Sequence, residues 1–313
     1  MESLTKPVVI SDNLAAIAQK HLGATPASTL ELKDGWFNAA FLLTQPNGDE
    51  FVLKIAPPSS VPVLRYEGNL MAAEVNAMRL VASRTNLPVP EIVAYDTTAS
   101  EVGSEYFLMK RLPGVPYNHV REEMTEDARK DIDMQAGECL RALDFGNGPG
   151  FGLFNDPKYP SWSAAFNALM ADLRQDGIDA NVEIPAGAFE LAEPHLWSLD
   201  LVTRPVFVHW DLWDGNIFVD REASLITGLI DFERALWGDP LMEANFMEIR
   251  PGFLDGYGKN PFDEPGAKER RFLYDLYLYL VMIVESTYRG FTKEHEAWPR
   301  GKLAELLERK GPA

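Results

Sequence analysis

The sequence has 313 residues, of which 46% are hydrophobic and 24% are charged, and its formal net charge is −18. This length suits two lobes or domains better than one minimal core, and the apolar content excludes a disordered chain. The acidic balance argues against a nucleic-acid partner, because neutralising phosphates needs a basic surface. An acidic surface can attract a cationic ligand, although a role in solubility alone would also explain the negative charge.

The single cysteine, Cys139, excludes an internal disulfide and a cysteine-rich zinc site. It falls in a helical apolar pattern, which favours a core thiol over a nucleophile. Residues 1–10 lack the charged-then-apolar pattern of a signal peptide. The longest apolar run, residues 277–284, is too short to span a membrane. We therefore expect a cytoplasmic protein with no membrane partner.

The first third of the chain reads as strand-rich. Two strands flank Asn47-Gly48, a strong hairpin signal. A helix follows in which Glu74 lies on an otherwise apolar face. Pro113-Gly114 marks a linker, so we expect an N-lobe at residues 1–111 and a C-lobe at residues 112–313. The predicted elements are strands at 37–43, 51–55 and 107–109 and a helix at 67–83.

The remainder of the chain reads as mainly helical. Short strands are expected only around one polar segment, and glycines, prolines and aromatic residues at 146–160 predict a loop. This contrast predicts an α+β protein with two unlike lobes and a cleft between them. The predicted helices are 125–143, 161–175 and 267–288, and the predicted strands are 206–208, 217–219 and 225–230.

Two motifs stand out in the helical part. Residues 209–216 read H-x-D-x-x-x-x-N, and after a hydrophobic strand residues 231–233 read D-F-E. Phosphoryl transfer needs a carboxylate to take a hydroxyl proton and oxygen ligands to hold magnesium against the phosphates. Asp211 is suited to the first role, and Asn216 and Asp231 are suited to the second.

This arrangement resembles the aminoglycoside phosphotransferase and choline kinase group, relatives of the protein kinases, and the loop is also similar to that of the fructosamine kinases. The resemblance implies a two-lobed protein-kinase-like fold, with a small β-rich N-lobe and a larger, mainly helical C-lobe. It implies ATP or GTP and Mg²⁺ as cofactors, with Asp211 as the base and Asn216 and Asp231 as magnesium ligands. His209 would order the loop.

A weaker resemblance extends upstream of the two motifs. Lys54 looks like the strand lysine that contacts the nucleotide phosphates, and Glu74 looks like its helix partner, with Glu67 as the alternative. Met109 and Arg111 lie in a segment that resembles the nucleotide-binding connection between the lobes.

Three departures from the family pattern accompany this resemblance. Trp210 replaces the usual glycine between the loop histidine and aspartate, and Glu243 replaces an aspartate. The loop at 34–40, which would cover the phosphates, has a single glycine.

The expected acceptor is a small, cationic, amine-bearing molecule, such as an aminoglycoside-like antibiotic, an amino sugar or another metabolite. It would bind between the catalytic loop, residues 146–175 and the last helix. The candidate residues for binding its amine are Asp214, Glu233 and Glu285. Acidic residues that only face solvent would give the same sequence pattern.

Three rival functions are disfavoured by the sequence. A catalytically silent pseudokinase would have lost part of the set Lys54, Asp211, Asn216 and Asp231, and all four are present. A protein kinase would show an Ala-Pro-Glu segment after Asp231, and a metal hydrolase would not explain Lys54. A metabolite kinase of the fructosamine or choline type stays open, as does the oligomeric state.

Overall fold

The protein is described by a computed structural model that covers residues 3–312. Its contacts divide the chain into two compact units. The first comprises Met1–Val63, Pro90–Leu112 and Tyr288–Phe291, and the second comprises the rest of the chain. One border thus falls one residue beyond the predicted position. Residues Leu64–Val89, expected in the N-lobe, group with the second unit, because their helix packs against residues 232–234.

The first unit is built on a five-stranded antiparallel sheet with the order β1-β2-β3-β5-β4. The predicted Asn-Gly hairpin joins β2 to β3, and Gly48 takes the left-handed conformation that such a turn requires. The strands are β1 Ser28–Leu32, β2 Ala39–Thr44, β3 Glu50–Ile55, β4 Ile92–Asp96 and β5 Tyr106–Lys110.

Helix α1, Ser11–Leu22, covers one face of this sheet. Its Leu14 and Ile17 pack against the alternating residues Leu53 and Ile55 of β3, as the period of two in that strand predicts. Because successive side chains of a strand alternate between the two faces of the sheet, Lys54 lies on the face opposite to Leu53 and Ile55.

The second unit contains the remaining helices, apart from Tyr288 and Arg289 of the helix Ala267–Arg289, and two small antiparallel sheets with the orders β11-β10-β6 and β8-β7-β12-β9. The α+β class expected from the sequence is therefore confirmed. The helices are α2 Leu70–Arg84, α3 Tyr117–Val120, α4 Glu126–Ala142, α5 Trp162–Asp179, α6 Phe253–Tyr257, α7 Ala267–Arg289 and α8 Lys293–Arg309. The strands are β6 Val115–Pro116, β7 Phe151–Leu153, β8 Asp156–Tyr159, β9 Val206–Val208, β10 Ile217–Asp220, β11 Leu225–Leu229 and β12 Leu236–Gly238.

The predicted loop at 146–160 is wrong in part, because β7 and β8 form a hairpin within it. These strands are short and rich in glycine and proline, and β7 is stabilised by pairing with β12, far away in the sequence. Cys139 is buried, as expected, and burial raises the pKa of its thiol to about 12. None of the helices within residues 3–312 combines the length and the apolar run that crossing a bilayer requires.

A buried polar network ties α5 and α7 to the segment after β12. Trp162 Nε1 donates to Tyr274 Oη at 2.7 Å, and Tyr274 Oη donates to Asp239 Oδ2 at 2.7 Å. Arg270 Nε donates to the same carboxylate at 2.6 Å. Because all four side chains are buried, each polar atom depends on its partner in place of water.

We predict that Tyr274→Phe lowers the free energy of unfolding by about 1–3 kcal/mol, because it leaves the Trp162 N–H and one Asp239 contact unsatisfied. Tyr117→Phe is the matched control, since the buried Tyr117 hydroxyl has no hydrogen-bond partner among the described residues. Urea unfolding at a constant m-value measures both. An equal cost for the two variants would show that the network contributes nothing.

Candidate active site

His209 joins the loop after β9 to the end of β11. Nδ1 of the fully buried ring accepts a hydrogen bond from the Asp211 amide at 3.3 Å. The ring proton is therefore on Nε2, which donates to the Ile230 carbonyl at 2.9 Å. The ring also packs on Phe232, with centroids 4.3 Å apart. These contacts give His209 the loop-ordering role that the resemblance implied.

The carboxylate of Glu243 holds the same loop from the other side. Its Oε1 accepts the backbone amide of His209 at 2.5 Å and that of Trp210 at 2.9 Å. Burial raises the pKa of Glu243 to about 7, and the two amides oppose that shift. The glutamate thus keeps a carboxylate at a position where the family usually has aspartate, and sequence reasoning noted the difference but not this contact.

Trp210 occupies a left-handed backbone conformation, with φ of 70°. A glycine would take this conformation without strain, whereas a side chain there costs about 1–2 kcal/mol. The indole is buried, stacks on Tyr277 with centroids 5.6 Å apart and meets the edge of Tyr66 at 5.6 Å. The backbone therefore keeps the shape that glycine would give, and aromatic packing offsets the strain.

Asn216 orients the side chain of Asp211. Its Nδ2 donates to the Asp211 carbonyl at 2.8 Å and to Asp211 Oδ2 at 3.2 Å. The hairpin of β10 and β11 brings the Ile230 amide to the Asn216 carbonyl at 3.1 Å, and Asp231 follows in a left-handed conformation. The hairpin thus brings Asn216 next to the residue preceding Asp231, as the motif spacing predicted.

Three carboxylates converge at this point. One oxygen each of Glu74, Asp231 and Glu233 lies within 4.8 Å of the others, and Glu74 and Glu233 are buried. Such a cluster needs a nearby cation or a proton on one of its members, because like charges in a buried site repel. Carboxylate and amide oxygens are the ligands that Mg²⁺ prefers, so Asp231 and the neighbouring Asn216 fit this ion.

Burial and neighbouring charges of both signs have opposing effects on the pKa of Asp211. Burial is the largest cause that raises its pKa to about 6, and the charges of Asp231 and Glu285 add to the rise. The guanidinium of Arg234 lowers it. Arg234 pairs with both oxygens of Glu285 at 3.2 Å and lies over the ring of Trp210, 5.7 Å from its centroid.

The three acids predicted for the acceptor amine lie in different settings. Asp214 is paired with Arg250 at 2.6 Å and Arg121 at 3.5 Å, and Glu285 is paired with Arg234. Glu233 belongs to the carboxylate cluster. The sequence analysis did not predict these arginine partners. Only Arg234 had a local signal, because it directly follows the D-F-E motif.

Of the residues predicted to contact the nucleotide from the first unit, Lys54 lies on β3, Met109 lies on β5, and Arg111 follows β5. Lys54 is buried on β3, and its Nζ is 6.0 Å from the ring centroid of Phe107 on β5. Met109 is buried on β5, and Arg111 forms an ion pair with Glu50 at 2.5 Å. Their nucleotide contacts, and the Lys54–Glu74 pair, stay predictions.

Comparison with known proteins gives three findings. The sequence profile described as the phosphotransferase enzyme family (APH) matches residues 28–269. A probable ketoamine kinase of Synechocystis is 26% identical over 226 residues, which cover 66% of this chain and 70% of that protein. A subtelomeric hrmA-associated cluster protein of Aspergillus fumigatus is 35% identical over 133 residues, which cover 42% of this chain and 25% of the relative. The chain thus spans about a quarter of the length of this curated relative.

Solved structures share the fold along nearly the whole chain. The aminoglycoside phosphotransferase APH(4)-Ia matches with a TM-score of 0.70 at 20% identity, covering 97% of this chain and 100% of that one. A ternary complex of APH(2")-IIa with streptomycin and ATP matches with a TM-score of 0.66 at 14% identity, covering 95% and 97%. The kinase-like α+β fold predicted from the sequence is therefore confirmed.

We predict that Arg234→Gln raises the pKa of Asp211 from about 6 by at least roughly one unit, because an adjacent cation favours the carboxylate by about 1–3 units. Arg234→Lys, which keeps the charge, should leave it near the wild-type value. The measurement is an NMR titration of carboxyl-labelled aspartate, with the Asp211 signal identified by its loss in Asp211→Asn. An unchanged midpoint in Arg234→Gln would contradict this account of the charges.

Proposed function

The chain belongs to the phosphotransferase enzyme family, and on that premise we propose that it transfers the γ-phosphoryl group of ATP to a hydroxyl of a small-molecule acceptor. One observation carries the proposal. Hydrogen bonds of the second unit hold Asp211, Asn216 and the residue before Asp231 together, in the order and spacing that phosphoryl transfer needs.

In the proposed reaction the acceptor oxygen forms a bond to the γ-phosphorus as the bond to the β-phosphate oxygen breaks. Asp211 accepts the proton of the hydroxyl, and the nucleoside diphosphate leaves. The hydrogen bond from Asn216 Nδ2 aims the carboxylate. Since burial raises the pKa of Asp211 to about 6, the base is ionised above that pH and lost below it.

Magnesium is proposed as the cation of the carboxylate cluster. Asp231 would hold it by its carboxylate and Asn216 by its amide oxygen, which the hydrogen bonds from Nδ2 leave facing away from Asp211. When bound, the ion neutralises charge on the phosphates. Lys54, Met109 and Arg111 are proposed to contact the nucleotide, and Glu74 is proposed to pair with Lys54.

ATP is supported as the donor by structural neighbours that are complexes with AMP-PNP and with ATP. GTP is the alternative, and one neighbour is a complex with GDP. A cytoplasmic location is also proposed, because the one cysteine is a buried thiol that needs no oxidising compartment.

An amine-bearing acceptor is the proposed substrate class. It is supported by structural neighbours in complex with hygromycin B, streptomycin and kanamycin. The similarity to a probable ketoamine kinase favours a sugar-derived ketoamine as the second candidate. Asp214 and Glu285 are no longer proposed as amine ligands, because an amine there would compete with the chain's own arginines. Glu233 is kept.

The test is a nucleotide-consumption screen of aminoglycosides, amino sugars and ketoamines, with mass spectrometry to find an acceptor heavier by one phosphoryl group. We predict that Asp211→Asn lowers turnover of the active acceptor by a factor on the order of 10² or more while nucleotide binding persists, because only the base is lost.

Asp127→Asn serves as the control, since it makes the same chemical change at an exposed position on α4. Near-normal turnover in Asp211→Asn would remove Asp211 as the base. Nucleotide binding without consumption on any acceptor would favour the pseudokinase alternative.

A further inference from the structure

A cavity of about 470 Å³ lies within the second unit, and its lining includes none of the candidate active-site residues. It is lined by α7, α8 and the segment 246–262. Its volume falls in the range of pockets that hold small organic molecules, about 300–1,000 Å³. Nothing in the proposed reaction uses it.

Helix geometry separates the cavity from Asp211. The α7 residues that line it, such as Arg271, Asp275 and Tyr279, recur every three to four positions and form one stripe. Tyr277 stacks on Trp210 beside the catalytic loop and lies two positions from Asp275 and from Tyr279, which places it on the opposite side of the helix. The cavity and the candidate active site therefore use different faces of α7.

The charge of the lining opposes that of the chain. Overall the sequence has 47 acidic residues against 29 lysines and arginines, whereas the cavity has four basic residues and two acidic ones. Arg271 pairs with Asp275 at 2.7 Å and Lys302 with Glu305 at 2.9 Å. Lys268 and Arg309 form no ion pair within residues 3–312. Arg309 donates from Nε to the Gly311 carbonyl at 2.6 Å and lies over the ring of Phe272, and its charge also favours the carboxylate of Asp275. The lining therefore keeps an excess of positive charge.

Part of the lining is apolar and buried, and one of its basic residues is firmly held. Phe272 and Leu306 are buried, and Phe246 joins them in the lining. Arg271 is fixed by hydrogen bonds from Nη1 to the carbonyls of Leu241 at 2.5 Å and Glu243 at 2.9 Å. A pre-formed pocket lined by aromatic residues and by an excess of basic ones suits a ligand with a flat apolar body and one negative charge.

We propose that this cavity is a binding site for a small organic anion with an aromatic or similarly flat body. The ring stacks among the aromatic side chains, and the anionic group meets Lys268 and Arg309. The site is independent of the proposed phosphoryl transfer, and its test needs no acceptor and no catalytic activity.

The probe is 8-anilino-1-naphthalenesulfonate, an aromatic anion whose fluorescence rises on binding. We predict saturable binding of one probe per chain. Lys268→Glu and Arg309→Glu should each weaken it about tenfold or more, which is about 1.4 kcal/mol, because each reverses a charge at the cavity edge. Lys293→Glu is the matched control, since it reverses an exposed charge at the start of α8, outside the lining.

Competition then tests the ligand class. Naphthalene carboxylate should displace the probe, whereas naphthylmethylamine, with the same ring and the opposite charge, should not. Magnesium-ATP should leave the probe bound. The proposal is overturned if binding does not saturate, if the two Glu variants bind as tightly as Lys293→Glu, if the amine competes equally well, or if the nucleotide displaces the probe.

Discussion

The hydrogen bonds from the backbone amides of His209 and Trp210 to the buried carboxylate of Glu243 fix the loop on which the candidate centre depends. A buried amide left without its acceptor costs about 1–3 kcal/mol. The same loop is tied to Ile230 through the His209 ring. Asp211, Asn216 and the chain entering Asp231 are thus positioned from two sides at once.

Charge compensation is local in this otherwise acidic chain. Burial pushes the pKa of Asp211 upward, and Arg234 holds it at a value compatible with a base near neutral pH. Arg234 is itself held by Glu285 and by the aromatic face of Trp210. Arg250 similarly neutralises Asp214 beside the loop. The net charge of −18 therefore says little about the field at the centre, where arginines offset several of the acids.

The sequence predicted those features that depend on neighbours along the chain. Three local patterns are the period of two in β3, the Asn-Gly hairpin and the spacing from His209 to Asp231. In the structure the hairpin forms, and His209 bonds to the residue before Asp231. The core position of Cys139 followed from helical periodicity. Trp210 was recognised as a departure, and its left-handed backbone explains why glycine is usual there.

Features that depend on distant partners were missed. Arg250 is 36 residues from Asp214, and Arg234 is 51 residues from Glu285, so no local pattern could pair them. Strands β7 and β12 form only by pairing with each other and with β8 and β9. Helix α8 contains Pro299, which as a sequence signal argues against a helix, yet its buried Leu303 and Leu306 hold it in the fold. The grouping of α2 with the second unit likewise depends on its contact with residues 232–234.

A crystal structure with Mn²⁺ and a non-hydrolysable ATP analogue would show whether Asp211, Asn216 and Asp231 form one phosphoryl-transfer centre. Mn²⁺ takes the same oxygen ligands as magnesium and can be located by its anomalous scattering. We predict a metal peak at coordination distance, roughly 2.0–2.3 Å, from an Asp231 carboxylate oxygen and the Asn216 amide oxygen. A metal bound to the nucleotide without either residue would contradict it.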